Sequence, residues 1–174
     1  MRFLTAAILV LAAVALMRHR EVNATYMGDE IHRVGSAHVA IAVAAPGGLV
    51  VPVIRYAERL TVPEIAALRA DLVQRARDGK LSLDEMQGGT FTISNLGMFG
   101  IKNFDAVINP PHATILAVGA GEKRPVIGPS GQVEAATIMS CTLSCDHRVV
   151  DGAIGAELLN AFKQLMEDPV RMLV

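Results

Sequence analysis

The chain has 174 residues, a length suited to one domain, and 52% of them are apolar, enough for a sizeable core. Sixteen Lys and Arg against seventeen Asp and Glu leave a formal net charge of -1. With no long basic run and 4% aromatic residues, that balance argues against nucleic-acid binding. The mean hydropathy of +0.40 is high for a soluble monomer. It points to an apolar N-terminal run and to surface covered by a partner, because obligate interfaces resemble a core cut in half.

Residues 3–17 are apolar apart from Thr5, with Arg2 before them and Arg18-His19-Arg20 after them. The run falls short of the ~20 residues that a membrane span needs. Its basic start and Ala13-Val14-Ala15 resemble a secretory signal. A helix apolar all round is also what a protein core holds. Residues 1–21 are therefore read as a buried N-terminal helix, with signal or anchor as alternatives, and membrane association is not expected.

Across residues 38–45, Val39, Ile41 and Val43 alternate on one side, and Pro46-Gly47-Gly48 turns the chain into residues 49–54, which predicts a β-hairpin. Thr61-Val62-Pro63-Glu64 has the form of a capping box, and Ile65, Leu68, Leu72 and Ala76 follow at helical spacing up to Gly79. Arg69, Asp71, Gln74, Arg75 and Asp78 read as the solvated face of that helix, without a substrate role. Residues 82–85 cap a short turn, 90–94 and 113–120 read as strands, and 125–133 as a polar hairpin with Gly128 and Gly131 at its tip. His112, after two prolines, reads as a loop residue, and His19, His32 and His38 as surface or structural. The mixture of strands and helices predicts an α/β two-layer sandwich with a mixed sheet and helices on one face.

Residues 136–143 suit a buried strand, and residues 153–166 repeat apolar side chains at helical spacing. Between them lies Ser144-Cys145-Asp146-His147-Arg148-Val149-Val150-Asp151-Gly152. A connection held at both ends can aim an imidazole into a cleft, where it takes a proton from a thiol or hydroxyl near neutral pH. His147 is thereby the candidate general base, and Asp151 orients the loop or pairs with an arginine beneath it. Cys141 and Cys145 are spaced too far apart on a strand for a disulfide and read as reduced core thiols, which suits a reducing compartment. No metal site is expected, because CxxxC here has His147 as its only further ligand nearby.

The His147 motif has company. Gln87-Gly88-Gly89-Thr90-Phe91-Thr92-Ile93-Ser94-Asn95-Leu96-Gly97, Ile108-Asn109-Pro110-Pro111 and Leu143 through Gly152 stand in an order that resembles the catalytic domain of the dihydrolipoyl acyltransferases. These are the core components of 2-oxo acid dehydrogenase complexes. Met98-Phe99-Gly100-Ile101-Lys102-Asn103-Phe104 looks most like the pyruvate-type, acetyl-transferring branch. The resemblance spans residues 22–174. It implies acetyl transfer between dihydrolipoamide and coenzyme A, with His147 as general base and Ser94 donating a hydrogen bond to the tetrahedral oxyanion. Asp151 takes a mainly structural place, paired with an arginine, and Asn95 and Gly97 flank Ser94 as substrate-binding positions.

The same resemblance implies a fold shared with chloramphenicol acetyltransferase and a homotrimer whose active-site channel lies between subunits, His147 coming from one and Ser94 from its neighbour. Trimers would stack into a larger core through residues 171–174. No lipoyl domain is apparent, so the lipoyl group comes from another domain or chain, in a bacterial cytoplasm or a mitochondrial matrix. The family's domain ordinarily starts with a further segment that carries the arginine, and residues 22–174 are accordingly expected to be an incomplete catalytic domain. The alternative reading is a non-catalytic core or assembly subunit.

Overall fold

The computed structural model describes residues 2–173, with side chains for 4–171. Val174, the last of the residues expected to stack trimers, lies outside the described residues, as does Met1. Helix α1 (Arg2–Arg18) is the apolar run. Ile8, Leu9, Leu11 and Leu16 are buried on different sides of it, and alanines at 6, 13 and 15 let neighbours approach closely. It lies between α2 (Val62–Arg77) and α3 (Gly152–Glu167), in the same apolar core as the sheet. Among the described residues no helix is long and apolar enough to cross a membrane.

The hairpin expected near residues 38–54 is present but divided between two sheets. The outer part pairs β4 (Val43–Ala45) with β5 (Gly48–Val50); the inner part pairs β3 (Val39–Ile41) with β6 (Val53–Ile54). All three residues of β3 are buried rather than alternating, and a second strand, the parallel β7 (Phe91–Asn95), pairs with its other edge, which makes β3 an interior strand. Before them, β1 (Ala24–Met27) and β2 (Glu30–Arg33) form a separate antiparallel ribbon.

Helix α2 begins on the capping box: Thr61 N–H donates to Glu64 Oε2 at 2.7 Å, and Glu64 N–H to Thr61 Oγ1 at 3.5 Å. Its buried stripe is Ile65, Leu72 and Ala76, whereas Leu68 is 44% exposed. One residue turns an α-helix by about 100°, so Leu68 falls at one margin of that stripe and Arg69 within the other.

The second half of the chain supplies β8 (Thr114–Val118), β9 (Glu122–Ile127), β10 (Val133–Ile138) and β11 (Cys141–Cys145). The main sheet has the order β11-β8-β7-β3-β6, with β8, β7 and β3 parallel and the two outer strands antiparallel. The single strand expected over 136–143 is two. β8–β9 and β10–β11 run as one long antiparallel pair that bends where residues 101–102 cross it. A Cβ on Gly119 would stand 2.0 Å from the Lys102 carbonyl oxygen, so only glycine admits that crossing.

The three helices cover one face of the sheet, made of Val39, Ile41, Phe91, Ile93, Leu116 and Val118. Alternation along the strands puts Ala40, Thr92, Ser94, Ile115, Ala117 and Thr142 on the other face.

Candidate active site

β11 leaves the sheet at Cys145, and the turn that follows is fixed from the backbone. Asp146 N–H donates to the Ala113 carbonyl at 2.7 Å, and the amides of Val149 and Val150 both return to the Asp146 carbonyl at 2.9 Å. The Asp146 carboxylate accepts from Arg148 N at 3.1 Å, from Nε at 2.9 Å and from Nη2 at 2.6 Å. These hydrogen bonds hold its carboxyl below the usual carboxylate range. Val150 is fully buried and pins the far end of the turn. His147 stands between these anchors, exposed.

Asp151 ends the turn by capping α3. Its Oδ1 accepts from Ala153 N at 2.8 Å and Ile154 N at 3.0 Å. The amides at a helix start lack partners within the helix, and a carboxylate there also meets the positive end of the helix dipole. Asp151 therefore orients the loop by holding the helix start, with backbone amides in place of the expected arginine.

Ser94 lies near the C-terminal end of β7, on the face away from the helices and half-buried, level with Ala117 on β8 and Thr142 on β11. His147 lies beyond the opposite end of the sheet, since β11 runs antiparallel to β8. Three residues of strand, from Thr142 to Cys145, and then the turn itself separate the level of Ser94 from His147, with the strand alone accounting for about 10 Å along its direction. One copy of the chain thus keeps the two side chains apart. After Ser94, Asn95 Oδ1 accepts from Gly97 N at 2.9 Å. A Cβ on Gly97 would lie 2.9 Å from the Gly119 carbonyl oxygen, so this glycine serves close packing of the loop.

An open groove of about 150 Å³ runs between α1, α2 and the strand ends, lined by Leu9, Val43, Arg69, Val73, Arg77 and residues 93–96 among others. Arg69, which the sequence indicated as part of a solvated face, lines this groove together with Arg77. Arg75 belongs to that solvated face, bridging Asp71 at 2.8 Å and Glu85 at 2.6 Å.

His112 is the residue that sequence reasoning missed. It is buried, with Nδ1 2.7 Å from Thr92 Oγ1, on the same sheet face as Ser94. Burial pushes its imidazole down to about 4. Cys141 and Cys145 are free, and burial raises both thiols, Cys141 to about 11, which leaves them poor nucleophiles. Among the described residues, His19, Glu21 and Glu157 form a group whose ligand atoms lie within 4.8 Å of one another, where the end of α1 meets α3.

The family model for the 2-oxoacid dehydrogenases acyltransferase (catalytic domain) matches residues 3–174. The chain belongs to this family. A relative from Rickettsia bellii, the dihydrolipoyllysine-residue acetyltransferase component of pyruvate dehydrogenase complex, is 46% identical over 167 residues. That match takes in 96% of this chain, which spans 40% of the relative's length. Among solved structures, Azotobacter vinelandii dihydrolipoamide acetyltransferase superposes with a TM-score of 0.93 at 33% identity, covering 98% of this chain and 71% of that one. The investigation of that structure concerns the role of a serine, a histidine and an asparagine in its catalytic mechanism. Chloramphenicol acetyltransferase shares the fold alone, with a TM-score of 0.59 at 10% identity over 92% of this chain and 76% of that one. This acyltransferase chain is thus a mixed α/β sandwich of the expected type.

Proposed function

We propose that the chain moves an acetyl group between dihydrolipoamide and coenzyme A as part of a pyruvate dehydrogenase-type complex. His147 is the general base. It takes the proton from the attacking thiol, whose free pKa of about 8.5 leaves little thiolate at neutral pH. The sulfur then adds to the thioester carbonyl, the carbonyl oxygen becomes an oxyanion, and its collapse expels the other sulfur, which recovers the proton from the imidazolium. Ser94 donates a hydrogen bond to that oxyanion, a contribution on the order of 3 kcal/mol. Asn95 and Gly97 shape the loop beside it. Asp151 caps α3 and so steadies the turn bearing His147.

The observation that carries this reading is the rigid His147 turn in a chain that matches the acyltransferase family throughout. The Azotobacter relative supports it, since its investigated histidine and asparagine stand four positions apart, as His147 and Asp151 do here. The opposite placement of Ser94 and His147 on the sheet supports a homotrimer in which neighbours complete each other's sites and which builds a higher-order core. Lipoyl groups reach it from another domain or chain, in a bacterial cytoplasm or mitochondrial matrix, and the reaction requires no metal.

Acetyl transfer from acetyl-CoA to free dihydrolipoamide, measured with the whole chain and with His147→Ala, tests the proposal. A rate that falls by about 10³-fold or more in the variant supports it, since a lost base typically costs 10²–10⁴-fold. Equal rates in two folded proteins would overturn it, and no rate in either would favour a non-catalytic assembly subunit.

A further inference from the structure

Arg148 is gripped on two sides. Its guanidinium edge lies on the Asp146 carboxylate, and its carbon lies 3.9 Å from the centre of the Tyr26 ring, the distance of a cation–π contact. Tyr26 is half-buried on β1 and is itself fixed by the chain that it faces. Its amide donates to the Pro111 carbonyl at 2.9 Å, and the neighbouring Ala24 carbonyl accepts from Ala113 N at 3.2 Å. Ala113 in turn accepts the Asp146 amide. Residues 111–113 therefore set the position of both jaws, the ring on one side and the turn on the other.

We propose that Tyr26 is a positioning residue which, through Arg148 and Asp146, holds the turn that aims His147. The proposal rests on His147 acting as the base, and it deepens that reading by naming what keeps an exposed imidazole in one orientation. Arg148 donates to Asp146 from both its backbone and its side chain, so moving the guanidinium releases the carboxylate that organises the turn. A flat ring limits the guanidinium to one plane. A branched aliphatic side chain in its place fills space without that constraint.

The test uses Tyr26→Phe, Tyr26→Leu, Arg148→Met and the Tyr26→Leu/Arg148→Met double variant, each as the full chain. Hydrogen exchange at the amides of Arg148, Val149 and Val150 reports the turn directly, and steady-state acetyl transfer reports its consequence. Tyr26→Leu and Arg148→Met should each raise exchange at these amides about tenfold. They should also lower kcat about tenfold with KM within about twofold, as expected of a misplaced catalytic group. Tyr26→Phe, which keeps the ring and loses only the hydroxyl that also interacts with Arg148, should lose clearly less than Tyr26→Leu in both, and the double variant should be no worse than Arg148→Met, because Tyr26 acts through the guanidinium.

Parental exchange and kcat in Tyr26→Leu would overturn the proposal, as would equal losses in Tyr26→Phe and Tyr26→Leu. If Tyr26→Leu fails to fold, Arg148→Met decides in its place: parental exchange at the three amides would overturn the clamp. A parent chain with no transfer activity would overturn the function of His147, while the exchange comparison would still decide the clamp.

Discussion

A buried imidazole is tolerated when its polar atoms find partners, and His112 has Thr92 Oγ1 on Nδ1 and backbone packed against the rest of its ring. A Cβ on Gly89 would stand 2.6 Å from its Cε1 and Nε2, so the glycine is what admits the ring. Burial keeps His112 neutral down to about pH 4, against 6.5 for an exposed imidazole. The unfolded chain therefore takes up this proton near pH 6.5 and the folded chain only near 4. Stability contributed by the neutral ring is complete above about pH 6.5, declines as pH falls, and levels off below about 4, a loss of at most about 3 kcal/mol. Urea unfolding midpoints of the parent and of His112→Gln, measured from pH 7.5 to 4, should diverge over this window, the variant falling less. Parallel curves would show that the ring has no such role. None of this was legible near residue 112 in the sequence, because Gly89 and Thr92 reach the ring only through the β-sheet. His147, in contrast, could be found from its flanks alone, since the strand before it and the helix after it each announce themselves over several residues.

Helices obey the same division between local and distant causes. The capping box of α2 was readable because donor, acceptor and spacing all lie within four residues, and it formed as expected. The single strand expected over 136–143 was not, because its bend depends on residues 101–102 crossing at Gly119. Asp151 lies between these cases. Its place before an apolar helix suits a cap, yet the motif directed attention to an ionic partner, and the structure gives its carboxylate to the amides of Ala153 and Ile154. Loss of such a cap costs about 1 kcal/mol, whereas asparagine accepts the same hydrogen bonds. Asp151→Ala should therefore lower the stability of the folded chain by about 1 kcal/mol, with Asp151→Asn within a few tenths of the parent. Denaturant titration of the three proteins measures both differences. Equal losses in the two variants would point instead to an ion pair that asparagine cannot replace.

The scale of the whole molecule decides whether Ser94 and His147 can act together at all. Within one copy they lie toward opposite ends of the sheet, where the strand from Thr142 to Cys145 alone sets them about 10 Å apart along its direction. If they serve one reaction, a second copy must supply one of them, and assembly becomes a catalytic requirement rather than a container. Ser94→Ala and His147→Ala should each be nearly inactive as homo-oligomers. Unfolded together in equal amounts and refolded, they form mixed rings. A site is intact wherever a copy that retains His147 meets a neighbour that retains Ser94. For random heterologous contacts around a closed ring that occurs at about one interface in four, so the mixture should recover about a quarter of the parental rate. The recovered fraction should fall when either variant is in excess, because the chance of the productive neighbour pair is greatest at equal proportions. A mixture as inactive as its components, in assemblies shown by native mass spectrometry to contain both variants, would place the two residues in separate sites and would remove Ser94 from the proposed chemistry while leaving the test of His147 untouched.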